Sequence, residues 1–254
     1  MENIIKIKVI SFNIWCRDDK DGHSIAERAP RLYEAVAPYD ADVIGLQEFQ
    51  PKWEKYIKEF FGDKYTMFNK YRDSQELEST PILWKKDKFE LIDTGFFWLS
   101  DTPEQESQGW DERGHNRICI YVILKDKKTN TLFTYMNTHY GFGDECQIKS
   151  SLLLSDYVKK ISDLPTFVTG DFNMRPDRPG YAEITKHFTD ANAVTAKDTR
   201  STYHACEPEK YPASHIDYCF VNDKVTPLTR ELIDKSFDGK YPSDHFGIYM
   251  ELEI

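Results

Sequence analysis

The sequence has no apolar run approaching the roughly 18 residues that a membrane-spanning helix needs, which excludes a transmembrane protein. Its start, Met1 to Ile10, does not read as a secretory leader. Lys alternates there with Ile and Val, with no continuous apolar segment and no small-residue cleavage site. Cysteine is sparse. Cys16, Cys119, Cys146, Cys206 and Cys219 are odd in number, widely spaced and form no C-x-x-C pair. That pattern argues against a disulfide framework or zinc cluster and for free thiols, so a cytoplasmic protein is expected. Positive charge is also short: 33 Lys and Arg stand against 43 Asp and Glu, a net charge of −10. A broad basic face for duplex DNA or an anionic membrane is therefore not expected. Carboxylates that hold a metal ion add to such a surplus, so phosphate substrates reached through a metal stay open. There is no internal repeat, no low-complexity tract and no linker rich in Gly, Ser and Pro. One domain over residues 1–254 is expected, with no obligate protein partner.

What is present is core material. Of 254 residues, 40% are hydrophobic, with 16 Phe, 15 Tyr and 5 Trp, which excludes a disordered chain. Ile5, Ile7 and Val9 alternate toward Ser11 as a half-buried strand does. Ile25, Ala29, Leu32 and Val36 recur at helical spacing, with Pro30 expected near the first turn. Trp53, Ile57 and Phe60 predict a helix, and Leu154, Val158 and Ile161 a longer one. Strands are predicted at Val43 to Leu46, Pro81 to Trp84, Ile118 to Leu124, Leu132 to Thr138, Thr166 to Thr169 and Ile216 to Val221. The period-two run Phe246, Ile248, Met250, Leu252, Ile254 predicts another. Strands outnumber helices and come in consecutive pairs, which favours a mixed α/β sandwich with antiparallel sheets over a doubly wound parallel sheet. Two long polar segments, Lys70 to Thr80 and Asp101 to Asn116, have the length of functional or mobile loops.

One pattern recurs along the chain. Apolar strands end abruptly in polar groups: Ser11-Phe12-Asn13, Gln47-Glu48, Asn137-Thr138-His139, Gly170-Asp171-Phe172-Asn173, Ser214-His215-Ile216-Asp217 and Ser243-Asp244-His245. Taken singly, each has a plain structural reading. An Asp or Asn after a strand serves a turn, Glu48 can cap a helix before Pro51, and His139, His115 and His204 can be satisfied imidazoles. Six such ends together read as side chains converging at one sheet edge, where a site forms. Oxygen ligands without cysteine suit Mg²⁺, Mn²⁺ or Ca²⁺ rather than zinc. Imidazoles beside a hard metal suit acid–base work on a phosphoester.

The ordered series SFNIW, IGLQE, NTHY, GDFN, SHIDY and SDHFG strongly resembles the endonuclease/exonuclease/phosphatase superfamily, the group around DNase I. FFWLSDTPE at Phe96 to Glu104, followed by Trp110, Arg117 and NTH, resembles its bacterial members of roughly 250 residues. The resemblance implies a DNase I-like α/β four-layer sandwich: two packed mixed, largely antiparallel β-sheets flanked by helices, with the site at the sheet ends. It also implies hydrolysis of a phosphoester that depends on Mg²⁺ or Mn²⁺, with Ca²⁺ as a substitute in crystals. Carried over by motif, Asn13, Glu48 and Asp244 match the metal-site residues. His139, Asp171, Asn173, Asp217 and His245 match the catalytic ones, and Glu78 matches the acid behind His139. The chain departs from the pattern at Tyr140 and Phe142 in NTHYGF, at Gly247 after DHF, and at Ile14-Trp15 after Asn13. No departure removes a catalytic group.

The expected activity is that of a phosphodiesterase or nuclease on single-stranded nucleic acid, exonuclease-like, by in-line attack of water. A phosphatase for small sugar or inositol phosphates is the alternative, and a binding module on the same scaffold ranks below both. No aromatic-tipped hairpin for membranes is visible. Arg117, Trp110 and Arg113, with His115, lie in one loop able to hold a phosphate and stack a base. Arg175, with Arg178, follows GDFN closely enough to touch phosphate.

Overall fold

The computed structural model describes residues 4–19, 22–212 and 214–254. The reading of Met1 to Ile10 thus lies partly, over residues 1–3, outside the described residues. Two six-stranded sheets pack face to face. The first runs in the order β11 (Thr226–Ile233), β12 (Gly247–Glu253), β1 (Lys6–Asn13), β2 (Val43–Gln47), β4 (Ile82–Lys85), β3 (Tyr65–Phe68). The second runs β5 (Phe89–Trp98), β6 (Ile118–Asp126), β7 (Leu132–His139), β8 (Thr166–Asp171), β10 (Asp217–Val221), β9 (Thr189–Asp190). Only one pair in each sheet is parallel, β1 with β2 and β7 with β8; the others are antiparallel. This is the DNase I-like sandwich that the motif series implies.

Each parallel pair needs a crossover, and each crossover is a helix on the outer face. Helix α1 (Ile25–Val36) links β1 to β2, and α3 (Asp144–Ile161) links β7 to β8. Among the described residues, helix α2 (Pro51–Phe61) and the short α4 (Pro179–Ile184) and α5 (Ala191–Val194) complete the α-helices. Ser24 opens α1 with a capping box closed by Glu27. Pro30 sits at its sixth residue, a turn later than the sequence reading placed it. The acidic Asp144 and Glu145 start α3, and Lys159 and Lys160 end it, each matching the helix dipole.

Three hydrophobic clusters separate the four layers. Between the sheets lie Ile7, Val9, Val43, Trp84, Ile120, Val122, Phe133, Tyr135, Phe167 and Met250. A second cluster joins the first sheet to α1 and α2 through Phe12, Leu32, Leu46, Trp53, Ile57 and Phe61; Phe61, rather than the predicted Phe60, is the fully buried ring. A third joins the second sheet to α3 and α4 through Met136, Leu154, Val158, Phe172, Ile184 and Phe220. Each such side chain contributes about 1.5–3 kcal/mol on burial.

The period-two reading of β12 matches its outcome: Ile248, Met250 and Leu252 enter the inter-sheet core while Tyr249 turns to the helix side. Gly247 is where that strand crosses β1; a Cβ there would meet the Phe12 ring at 2.6 Å, so no larger residue fits. Strands β3, β5 and β11 went unread in the sequence. All three are edges, and their half-exposed residues carry little periodicity.

Register brings the polar ends together. His139 pairs with Asp171 across β7 and β8, and Asp171 pairs with Asp217 across β8 and β10, so three of the singled-out residues form one row. In the other sheet Asn13 pairs with Gln47. Both rows lie at the same end of the sandwich, where β1, β2, β7 and β8 finish and β10 and β12 begin.

Candidate active site at the sheet ends

These ends border a cleft of about 940 Å³ lined by Glu48, Glu78, His139, Asp171, Asn173, Asp244 and His245. Asn13 is fully buried beneath it. Asn13 Nδ2 donates to Glu48 Oε1 at 3.1 Å and to Asp171 Oδ2 at 3.0 Å, coupling the two sheets. Behind it, Gln47 Nε2 donates to Asn137 Oδ1 at 2.8 Å, a second tie between sheets. The segment after β1 turns back over Glu48: Trp15 N–H donates to Asn13 Oδ1 at 3.1 Å, and Cys16 N–H to Glu48 Oε2 at 2.9 Å. Trp15, Glu48 and Asn173 hold φ values of 60°, 58° and 49°, left-handed backbone that costs a non-glycine residue about 1–2 kcal/mol each. Such strain persists because the surrounding bonds over-determine these turns.

Two imidazoles face each other across Asp171. His139 Nε2 is 3.5 Å from Asp171 Oδ2, and His245 Nε2 is 3.7 Å from the same oxygen. His245 Nδ1 donates to Asp217 Oδ2 at 2.9 Å. Asp217 is itself held by the Thr202 hydroxyl, which accepts from its N–H at 3.1 Å. Burial opposes a charge on His245, but the Asp217 carboxylate and, beyond it, Asp171 and Asp244 raise its pKa to about 10. On the other side His139 Nδ1 lies 3.5 Å from Glu78 Oε1, and Asn173 Nδ2 donates to His139 Nε2 at 3.0 Å. Burial and the Arg117 guanidinium pull His139 down to about 3. Asp171 is pushed up by burial and by the Asp217 charge.

Glu48 and Asp244 share no ion pair with any described cation. Asp244 is raised to about 6 by burial and the Glu48 charge, against the opposing pull of His245. Two carboxylates that resist joint ionisation, with the Asn13 amide beside them, form an oxygen-donor set that a hard divalent cation would neutralise. Among the described residues, the tightest acid–imidazole cluster is a different one, Asp171, Asp217 and His245, whose ligand atoms lie within 4.8 Å of one another. There Asp217 Oδ2 accepts from the imidazole, as both Glu48 oxygens accept from Asn13 and the Cys16 N–H.

The long polar loops both reach the cleft. Arg72, Glu76 and Glu78 come from the first; Arg113, His115 and Arg117 come from the second. Arg117 is buried, with Nε on Asp111 at 2.9 Å and Nη1 3.9 Å from Glu78. Arg113 lies over the Phe142 ring at 3.4 Å, and His115 meets Glu76 at 3.0 Å. Trp110 is not among the lining residues: its Nε1 donates to Asp101 at 3.1 Å and Lys149 covers its ring. Arg175 and Arg178 line a smaller neighbouring hollow of about 280 Å³, paired with Asp177 and Asp144. His204 makes no part of the lining. Its ring packs on Phe246 with centroids 4.1 Å apart, and burial lowers it to about 4.

Sequence reasoning named Ser243 in a polar strand end but gave it no role; its hydroxyl donates to Asn13 O at 2.7 Å and holds the turn before Asp244. It missed Tyr203, packed on His245 with ring centroids 5.1 Å apart, and the buried Arg28, whose guanidinium donates to Ile14 O. Arg28 had a legible signal: it is a charged residue on the buried stripe Ile25, Arg28, Ala29, Leu32 of α1.

Comparison with known proteins agrees with this fold. The model of the Endonuclease/Exonuclease/phosphatase family matches residues 10–245. A family protein of solved structure from Bacteroides thetaiotaomicron superposes with a TM-score of 0.90 at 26% identity, covering 100% of this chain and 97% of that one. A mannosyl-6-phosphatase from the same species superposes with a TM-score of 0.87 at 28% identity, over 97% of this chain and 99% of that one. Tyrosyl-DNA phosphodiesterase 2 of Mus musculus is 24% identical over 96% of this chain, which spans 66% of the mouse protein. From its motifs, its sheet topology and this match, the chain belongs to the endonuclease/exonuclease/phosphatase family.

Proposed function

We propose that this protein is a phosphoester hydrolase dependent on Mg²⁺ or Mn²⁺, acting on a compact phosphorylated substrate by in-line attack of water. The observation that carries the reading is the pair of imidazoles facing Asp171, with His139 Nε2 3.5 Å and His245 Nε2 3.7 Å from the same oxygen, one ring pulled down by burial and Arg117 and the other raised by Asp217. One ring is then uncharged and the other cationic near neutral pH, so only the second can stabilise negative charge that develops on phosphate. The family and its named relatives, a phosphatase and a phosphodiesterase, support phosphoester chemistry.

In this reading Glu48, Asn13 and Asp244 hold the cation, which when bound supplies charge neutralisation for phosphate oxygens. Asp171, its basicity raised by burial, orients the attacking water and takes its proton. Asn173 positions phosphate and holds the His139 ring through the bond to Nε2. His245, cationic and fixed by Asp217, stabilises the charge that develops on the transferring group. Glu78 orients His139.

The substrate is a small phosphomonoester of a sugar or polyol. Of the four arginines lining the cleft, Arg72 and Arg117 are committed to Glu78 and Asp111, while Arg17 and Arg113 pair with no described carboxylate. Two uncommitted guanidinium groups suit a single compact phosphate better than a long polyanion. The phosphodiesterase reading on single-stranded nucleic acid is favoured by the Trp15, Phe142 and Tyr203 rings lining the cleft, which can stack bases. A non-catalytic module is disfavoured because every family catalytic group is present.

A panel of hexose and inositol phosphates, single-stranded RNA and DNA, and bis-p-nitrophenyl phosphate, each with Mg²⁺, Mn²⁺ and excess chelator, separates these readings. Monoesters are expected to be turned over at least tenfold faster than the rest, and chelator to abolish turnover. Faster cleavage of single strands would overturn the substrate assignment. Full activity in chelator or in Glu48→Gln would overturn the cation. Any nucleic-acid binding should show a shallow slope of log affinity against log salt, about −1 to −3.

A further inference from the structure

Arg28 is fully buried, yet among the described residues no carboxylate contacts its guanidinium. Instead all five of its N–H donors go to main-chain carbonyls. Nε donates to His23 O at 2.8 Å. Nη1 donates to Ile14 O at 2.5 Å and Pro242 O at 3.2 Å; Nη2 donates to Trp15 O at 2.9 Å and Arg17 O at 2.5 Å. The plane is held between indoles, 4.9 Å from the Trp15 ring centre and 5.1 Å from that of Trp53. Burial lowers its pKa to about 10, with Asp244 opposing, so it is charged at neutral pH.

The carbonyls it gathers are not scattered. Ile14, Trp15 and Arg17 belong to the left-handed turn after β1, whose Trp15 and Cys16 amides bond Asn13 and Glu48. Pro242 precedes Ser243, whose hydroxyl bonds Asn13 O and lies 3.3 Å from Asp244 Oδ1. The two segments are far apart in sequence, and one guanidinium fastens both. We propose that Arg28 is a positioning residue that pre-forms the divalent-cation site, holding the segment after Asn13, whose Cys16 amide bonds Glu48, in register with Asp244 on the other. This rests on the cation-site reading above.

The physical reason lies in the two carboxylates. Without a fixed backbone, Glu48 and Asp244 would move apart to relieve their repulsion, and a cation would then have to bring them back together. A planar fork satisfying five acceptors makes that work unnecessary. Lysine, with three donors on a single atom, leaves at least two of these carbonyls unpaired. Arg31, one turn later on α1, provides an internal control. It donates to Gly22 O at 2.6 Å and Tyr241 O at 3.2 Å, bracing the same two segments further from the carboxylates.

The test is Mn²⁺ binding by titration calorimetry, without substrate, to wild type, Arg28→Lys and Arg31→Lys, with folding checked by circular dichroism. Arg28→Lys should bind Mn²⁺ at least tenfold more weakly, and Arg31→Lys within twofold of wild type. Equal binding by folded Arg28→Lys, or equal weakening by Arg31→Lys, overturns the proposal. Failure of wild type to bind Mn²⁺ would instead overturn the cation reading. If Arg28→Lys does not fold, hydrogen exchange on wild type in chelator decides. The Trp15 and Cys16 amides should be protected before any cation is added, and exchange at open-loop rates would overturn the clamp.

Discussion

The two imidazole corners of the cleft are built from the same parts and behave oppositely. Each has a histidine at a strand end with a carboxylate behind its Nδ1. At His245 the acid is Asp217, 2.9 Å away and with no arginine in contact. At His139 the acid is Glu78, 3.5 Å away, and its Oε1 is already engaged by Arg72 at 2.5 Å with Arg117 nearby at 3.9 Å. A dedicated carboxylate raises an imidazole; one neutralised by guanidinium groups cannot, and burial then leaves the ring uncharged. A His–acid pair therefore has no fixed meaning. What decides its protonation is the next shell of charge.

The largest effect should come from the dedicated pair. His245→Ala and Asp217→Asn should each lower kcat/KM by about 10³-fold, within the range for a positioned proton-transfer group. The double variant should lose little more, because the two act as one unit. Losses that simply multiply would break the contrast between the corners.

Glu78→Gln should cost far less, about tenfold, since its charge is already shared between two arginines. A loss as large as that of Asp217→Asn would show that Glu78 serves His139 as Asp217 serves His245. Arg117→Gln sharpens the comparison from the other side. Burial and Arg117 hold His139 near 3, so removing that charge should raise the pKa. The acid limb of the pH–rate profile should move to higher pH, along with the His139 ring-proton titration followed by NMR. An unmoved titration would mean that burial alone sets this corner.

The smallest effect concerns a histidine with no acid behind it. His204, lowered to about 4 by burial, takes up its proton near pH 6.5 when unfolded and near 4 when folded. The unfolded state binds more protons in that window, so stability falls as pH drops from about 6.5 to 4. His204→Gln keeps an acceptor for the Cys206 N–H and should flatten this slope of urea midpoint against pH. An unchanged slope would assign the acid sensitivity to other groups.

Sequence alone determined the strands that carry the site and the order of their polar ends. The inter-sheet core imposes a period of two on long central strands, and six abrupt apolar-to-polar changes mark where those strands leave it. The same logic explains what was lost. Edge strands β3, β5 and β11 are half exposed and carry no such rhythm. Trp110 and Arg175 carry suitable chemistry, but their partners, Asp101 with Lys149 for one and Asp177 for the other, turn them away from the cleft. Only the tertiary structure decided which histidine is charged, because this depends on Arg72 and Arg117 arriving from two separate loops. It alone placed Arg28 under the turns after β1 and before β12, joining carbonyls at 14, 15, 17 and 23 to one at 242. A sequence records residue types and spacings, whereas electrostatics and main-chain bonding act through distance across chain segments that only folding brings together.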